Sequence, residues 1–164
     1  MLQSLKKRYE AAKEEDGFTL IELAVVILII GILLAIAIPT FLGVRTRAQN
    51  KSAQSSLRNS LVAAKTAYSD AGTFSGVTNL TLSSIEPAIT FTTGGASTGP
   101  NDVHMGFDAA VPPTIFTAWA KSDGGNCYYI QENVGASGTK YGTVTGSPAV
   151  CDNAVAPTYS GKWS

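Results

Sequence analysis

The chain has few of the residue types that catalysis usually requires. Its 164 residues include one histidine and two cysteines, and its twelve basic residues balance its twelve acidic ones. Neither a P-loop nor an H-E-x-x-H zinc motif occurs. The lone histidine, His104, lies near Asp102, and such a residue is more often found at the surface than in catalysis. We therefore expect no enzyme activity, no cofactor and no metal, and the zero net charge does not indicate DNA binding.

A long apolar run is the main positive feature. Phe18 to Ile38 comprises 21 residues, and as a helix it would rise about 31 Å, roughly the thickness of a bilayer core. Glu22 interrupts this run near its start. A carboxylate inside a membrane helix costs about 2.5 to 3.5 kcal/mol at the centre and less near an interface. We expect either a specific partner for Glu22 or its tolerance at headgroup depth.

The helical pattern continues beyond Pro39 but changes character. Apolar residues recur every three or four positions, which predicts an amphipathic helix that ends at Ala71-Gly72. The predicted stem is therefore apolar on all sides in its first half and amphipathic in its second. The residues of the apolar stripe are Ala53, Leu57, Leu61, Ala64 and Tyr68.

The remaining residues, 72–164, read as a small β domain. For residues 73–101 the sequence predicts irregular structure that could include one strand. Four β-prone runs follow, and Asp123-Gly124-Gly125-Asn126 indicates a hairpin turn between two of them. The expected fold class is α+β, a long helix packed on a small antiparallel sheet. The predicted strands are Val103–Phe107, Ile115–Lys121, Cys127–Glu132 and Tyr141–Val144.

Cys127 and Cys151 both lie in this β domain. If the domain is outside the membrane, a disulfide is favoured, and its loop of about 25 residues would contribute about 3 kcal/mol. A cytoplasmic location would instead require two free thiols. Within about 20 residues of the apolar run the basic residues are equally numerous on the two sides, so the cysteines alone favour an external C-terminal part. These basic residues are Lys6, Lys7, Arg8 and Lys13 before the run and Arg45, Arg47, Lys51 and Arg58 after it.

The segment GFTLIELAVVILIIGILLAIAIPTF, residues 17–41, resembles the N-terminal signature of type IV pilins and pseudopilins. The resemblance implies that Gly17 ends a leader, that a prepilin peptidase cuts after it, and that the new N-terminus at Phe18 is methylated. It implies that Glu22 pairs with the N-terminal ammonium of an adjoining subunit. It also implies a loosened helix between Gly31 and Pro39 in the filament.

The same resemblance implies a domain order and a set of partners. The order is a leader at 1–17, a membrane and filament-core helix at 18–44, an amphipathic stem at 45–71, and a head at 72–164 in which the Cys127–Cys151 bridge closes the C-terminal loop. The partners are further copies in a helical filament, the prepilin peptidase, an assembly ATPase and a platform protein. The precursor would sit in the cytoplasmic membrane and the filament on the cell surface. The resemblance does not decide whether the filament serves twitching motility, adhesion, DNA uptake or secretion.

Four alternatives also stay open. An ordinary secretory signal could be cut after Ala35-Ile36-Ala37, so that the mature chain starts at Ile38. A pseudopilin of a type II secretion system would carry the same signature. A membrane-tethered binding module would keep residues 1–17 and would not polymerise. Side-chain oxygens of Asp123 and Asn126, or of Asp152 and Asn153, could coordinate a calcium ion.

Overall fold

The computed structural model describes residues 18–135, 138–146, 148, 150–154 and 157–163. The predicted leader, 1–17, lies outside these residues. The architecture is the α+β class expected from the sequence, with a long helix and a six-stranded, mostly antiparallel sheet. The chain divides into two compact units, Met1–Gly43 and Val44–Ser164.

Helix α1 runs from Leu20 to Ala71, and Pro39 lies inside it without ending it. The helix stops where the sequence predicts, because Gly72 adopts a left-handed conformation with φ of 69°. The Gly72 N–H donates to the carbonyl oxygen of Tyr68 at 2.7 Å, which closes the last turn. Glycine suits this position because it has no Cβ to clash.

Helix α2, Asn79–Ile85, was not expected, and the prediction of irregular structure is wrong over these seven residues. Thr78 caps the helix. Its hydroxyl accepts from the Thr81 N–H at 3.2 Å, and its own N–H donates to the Thr81 hydroxyl at 3.4 Å. One side chain, Leu82, is fully buried. A helix this short depends on its cap and one apolar contact, so its sequence has no helical periodicity to detect.

The sheet consists of β1 (Thr90–Thr93), β2 (Asp102–Phe107), β3 (Ile115–Lys121), β4 (Cys127–Asn133), β5 (Gly138–Val144) and β6 (Tyr159–Ser160), in that spatial order. The four predicted strands are confirmed as β2 to β5, with small changes at their ends. β1 pairs with β2 in parallel, which departs from the expected antiparallel sheet, and the other pairs are antiparallel. The predicted β3–β4 turn is present, with the Ser122 N–H bonded to the Asn126 carbonyl at 2.8 Å.

One face of the sheet forms the main core with the second half of α1. The predicted apolar stripe is confirmed, since four of its members are buried and Tyr68 is partly buried against the same cluster. Strand residues alternate between the two faces, so every second residue contributes to this core. The main contributors from the strands are Val103, Met105, Phe116, Ala118, Tyr128 and Ile130.

The opposite face holds a second, smaller cluster. His104 pairs across strands with Trp119, and Trp119 pairs with Tyr129. Trp119 and Tyr129 pack with Cys127 and Cys151. The loop that follows β1 contacts this face, because the Trp119 indole N–H donates to the Gly95 carbonyl at 3.0 Å.

Candidate functional site

The start of α1 places Glu22 against Thr19. The Glu22 Oε2 atom accepts hydrogen bonds from the Thr19 N–H at 2.8 Å and from its hydroxyl at 2.7 Å. In return, the Glu22 N–H donates to the Thr19 hydroxyl at 3.3 Å. This is a capping box, which satisfies N–H groups that the first helical turn leaves without partners. Oε1, the other carboxylate oxygen, accepts no hydrogen bond from the described residues.

The side chains around this cap have no apolar contacts that bury them. Every residue from Phe18 to Gly43 is exposed within the chain, and Phe18 itself is 78% exposed. By length and composition the segment can cross a membrane, with a mean hydropathy of 3.1 over its most apolar 18 residues. Such a surface requires an apolar environment supplied from outside the chain, either lipid or other proteins.

Gly31 and Pro39 both lie within continuous α1. No atom lies within 4 Å of a Cβ built at Gly31, so packing within this chain does not require glycine there. Near Pro39 the Thr40 hydroxyl donates to the Ile36 carbonyl at 3.0 Å. Proline contributes no N–H to the helix ladder, so this part of α1 has one backbone hydrogen bond fewer than an ordinary helix. The loosening of this stretch in a filament stays a prediction.

The cysteine pair forms the expected disulfide. Cys127 and Cys151 are bonded, their Cα atoms are 5.6 Å apart, and both are buried. Beside them the Tyr129 hydroxyl donates to the Asp152 carbonyl at 2.9 Å. Burial, with smaller contributions from Asp152 and Tyr159, raises the pKa of Tyr129 to about 12. The bridge and this neutral tyrosine together hold the C-terminal segment on the second face of the sheet.

Comparison with known proteins agrees with the N-terminal geometry. Residues 13–38 match the prokaryotic N-terminal methylation motif. Over 63 residues the chain is 43% identical to the type IV major pilin protein PilA of Myxococcus xanthus (strain DK1622). The chain is therefore similar to a type IV pilin over part of its length. That alignment covers 38% of this chain and 29% of the relative, and no solved structure matches the chain.

The expectation that His104 lies at the surface is wrong. His104 is 6% exposed, its Nε2 lies 3.1 Å from the Asp102 carboxylate, and its Nδ1 contacts the Gly94 carbonyl. Asp102 also accepts from the N–H and hydroxyl of Thr98. Because both ring nitrogens already have partners, His104 serves to hold the loop after β1 against the sheet.

Gly95-Ala96-Ser97-Thr98-Gly99 matches the G-x-S-x-G pattern of hydrolases, and His104 and Asp102 lie nearby. The environment of Ser97 excludes that role. Ser97 is 3% exposed, and its hydroxyl donates toward the carbonyls of Gly99 and Asp102 while it accepts from the Lys121 N–H at 2.8 Å. A nucleophile needs a base and an open approach, and this hydroxyl contacts neither histidine nitrogen.

The residues considered for calcium do not form a metal cluster. Among the described residues no group of three or more histidine, cysteine, aspartate or glutamate side chains could hold an ion. The Asp152 carboxylate accepts from the Ala154 N–H at 3.0 Å, and Asp123 lies in the β3–β4 turn.

The contact between Thr19 and Glu22 at the candidate site was not expected from the sequence. The spacing Thr19-x-x-Glu22 directly before an apolar run is the signature of a capping box and could have identified it. The cap gives the acid an intramolecular partner for one oxygen, and the other oxygen accepts no hydrogen bond from the residues that the structure describes.

Proposed function

We propose that this chain is the structural subunit of a type IV pilus, cut after Gly17 and polymerised through residues 18–44. One observation carries the proposal: at the methylation motif an exposed apolar helix begins with a carboxylate, one oxygen of which accepts no hydrogen bond from the described residues. The match to the methylation motif and the similarity to a type IV major pilin support the same function.

Processing after Gly17 would make Phe18 the N-terminus, which would carry the methyl group. A residue without a side chain at the cut lets a membrane peptidase approach the backbone closely. Cleavage also removes the polar residues 1–17, which are poorly suited to the interior of a filament. Gly17→Val is expected to leave the precursor uncut, and immunoblotting for the longer form measures this.

Glu22 would pair with the N-terminal ammonium of Phe18 in the adjoining subunit. Thr19 donates to Oε2, so Oε1, which has no hydrogen-bond donor in the described part of the chain, would receive the ammonium. Among apolar side chains, loss of one member of such a pair costs about 3 to 5 kcal/mol. The pair would set the axial register of helices whose surfaces are otherwise uniformly apolar, as a single buried polar residue does in coiled coils.

Hydrophobic burial alone would not drive the subunit out of the membrane. Lipid tails are as apolar as the helix surface, so transfer from bilayer to filament core gains mainly packing and polar contacts. We therefore assign the work of extraction to a cytosolic assembly ATPase acting through a platform protein. In the filament the helices would form the core, and the disulfide-bonded heads would form the outer surface.

The test is the N-terminal residue and intact mass of the protein in a fraction sheared from the cell surface. A start at Phe18 with one added methyl group, in recoverable filaments, is the expected result. A start at Ile38 would mean ordinary secretion, and an intact Met1 confined to membranes would mean a tethered module. A processed Phe18 chain that never appears outside the cell would favour the pseudopilin alternative.

A further inference from the structure

A cavity of about 230 Å³ opens on the Val44–Ser164 unit beside the second half of α1. Its lining comes from α1, from β5 and from the segment after β6. No lining residue is acidic, and three are cationic. The lining residues are Lys51, Gln54, Arg58, Tyr141, Gly161, Lys162 and Trp163.

The three cations of this cavity have no anionic partner within the described part of the chain. The ion pairs found there join Lys65 to Glu132 and His104 to Asp102, and neither involves the cavity. Like charges gathered in one concave surface repel each other and raise the local positive potential. A bound anion would relieve this repulsion.

Arg58 is positioned before any ligand arrives. Its guanidinium carbon lies 4.7 Å from the centroid of the Trp163 ring. Trp163 is fixed in turn, because its indole N–H donates to the Tyr129 carbonyl at 3.0 Å and the ring lies 4.6 Å from that of Tyr141 in an edge contact. Stacking on an aromatic face leaves the N–H edges of a guanidinium free to bind an oxyanion with two hydrogen bonds.

Gln54 contributes a hydrogen-bond donor to the lining of the cavity. It is only 5% exposed, and its Oε1 accepts from the Lys51 ammonium at 3.0 Å. This bond identifies the other end of the side chain as the amide N–H₂ group, which donates to none of the residues that the structure describes. An oxyanion bound in the cavity would accept a hydrogen bond from this group.

We propose that this cavity binds one oxyanion group, a carboxylate or a phosphate. The guanidinium of Arg58 and the amide of Gln54 donate hydrogen bonds to it, and Lys51 and Lys162 contribute positive charge. The volume is below that of typical sites for drug-sized ligands, so it fits one group of a larger molecule or a small ion. The group can come from free phosphate or from an acidic side chain of a second copy of this chain.

The test is a titration of the full chain in detergent micelles with inorganic phosphate, with sodium chloride adjusted to keep ionic strength constant. The chain has two tryptophans, so ¹⁵N-labelled indole gives two signals. We expect a saturable shift of the Trp163 signal, while the signal of buried Trp119 stays in place and reports an intact fold. Arg58→Gln should weaken phosphate binding about tenfold, the loss typical of one charged hydrogen-bond partner.

Gln54→Leu keeps all three charges and should also weaken binding, because only the amide donor is lost. Lys140→Gln removes one charge outside the cavity and should leave the affinity unchanged. A shift that does not saturate, or equal weakening by Lys140→Gln, would overturn the proposal. In assembled filaments, continued phosphate binding would indicate a free anion, and loss of phosphate binding would indicate that a neighbouring copy fills the cavity. The micelle experiment does not depend on filament formation, so it separates this proposal from the proposed function.

Discussion

The two units of this chain use apolar residues in opposite ways. From Phe18 to Gly43 every residue is exposed, whereas the second half of α1 buries Ala53, Leu57 and Ala64 in the main core. Both stretches belong to one continuous helix. The difference lies in how the apolar residues are arranged, on all sides in the first and along one stripe in the second. The stripe matches one sheet face in its own chain, while the uniform surface needs partners from outside.

Two glutamates, one in each unit, differ in how fully their carboxylate oxygens are bonded within the chain. Glu132, which is 7% exposed, has Lys65 at 3.0 Å from Oε1 and the Thr139 hydroxyl on Oε2. Glu22 has Thr19 on one oxygen and no described partner on the other. The Val44–Ser164 unit therefore satisfies its buried acid internally, whereas Oε1 of Glu22 accepts no hydrogen bond from the described residues.

The largest effect is expected from Glu22→Val. This change should abolish filament recovery, because the ammonium of a neighbouring Phe18 would be buried without a partner at a cost of about 3 to 5 kcal/mol. The head should unfold at the same denaturant concentration as before, since every residue near Glu22 is exposed. Counting filaments by electron microscopy after shearing measures the first effect, and tryptophan fluorescence measures the second.

Glu22→Gln is the matched control, because it retains a side-chain carbonyl that can accept from Thr19 while removing the charge. Filaments should be lost here too if the ammonium pair is what matters. Normal filaments from a processed, membrane-inserted Glu22→Val subunit would contradict the assignment of Glu22 to assembly.

Leu57→Ala and Leu34→Ala compare the two units directly. Leu57 is fully buried, so its truncation should lower the free energy of unfolding of the head by about 2 to 5 kcal/mol. Leu34 is 50% exposed within the chain, and its truncation should change the same quantity by less than about 0.5 kcal/mol. Urea titration of the full chain in micelles measures both. A similar loss from both variants would mean that the apolar helix is part of the head's folding unit.

Patterns that repeat were predictable from the sequence. The apolar run, the stripe on α1, the Gly72 stop and four of the strands follow from periodicity and turn residues. Helix α2 and β1 were not predictable in this way. Each is short, and each depends on contacts such as the Thr78 cap and the pairing of Thr90 with Asp102.

The candidate site was predictable in identity but not in geometry. The signature identified Glu22 and Phe18, and the spacing of Thr19 could have identified the capping box. The burial of His104 could not be read from the sequence, because the loop residue Gly94 that holds it lies ten positions earlier. The same is true of the cavity at Arg58, whose aromatic neighbour Trp163 is more than a hundred residues away.

Removing the disulfide measures how much of the free energy of unfolding of the head depends on this covalent bond, which has no counterpart in the apolar helix. Replacing both Cys127 and Cys151 with alanine should lower the free energy of unfolding by about 3 kcal/mol, because the unfolded chain regains the freedom of the closed loop. Comparing the variant with the wild-type chain in urea measures the loss. Reduction of the wild-type chain should produce a similar loss, and no change in either experiment would show that the bridge contributes nothing to stability.

The smallest effect concerns Asp108, an acid whose hydrogen bonds lie entirely within the head. The Ile115 N–H, at 3.0 Å, is the main cause of its lowered pKa, desolvation opposes the shift, and the Thr114 hydroxyl at 3.0 Å and N–H at 2.8 Å lower the pKa further. Because the pKa is lower in the folded state than in the unfolded state, the ionised carboxylate stabilises the fold above about pH 4. That contribution is lost as the pH falls through the folded pKa.

Asp108→Asn should therefore be less stable than the wild-type chain near neutral pH, and the difference should shrink as the solution is acidified. Urea midpoints measured at a series of pH values test this, with Asp123→Asn in the exposed β3–β4 turn as the matched control. A difference that stays constant with pH would mean that Asp108 acts through its shape and not its charge. A shrinking difference in isolated chains would show that the Asp108 carboxylate stabilises the fold without a second molecule.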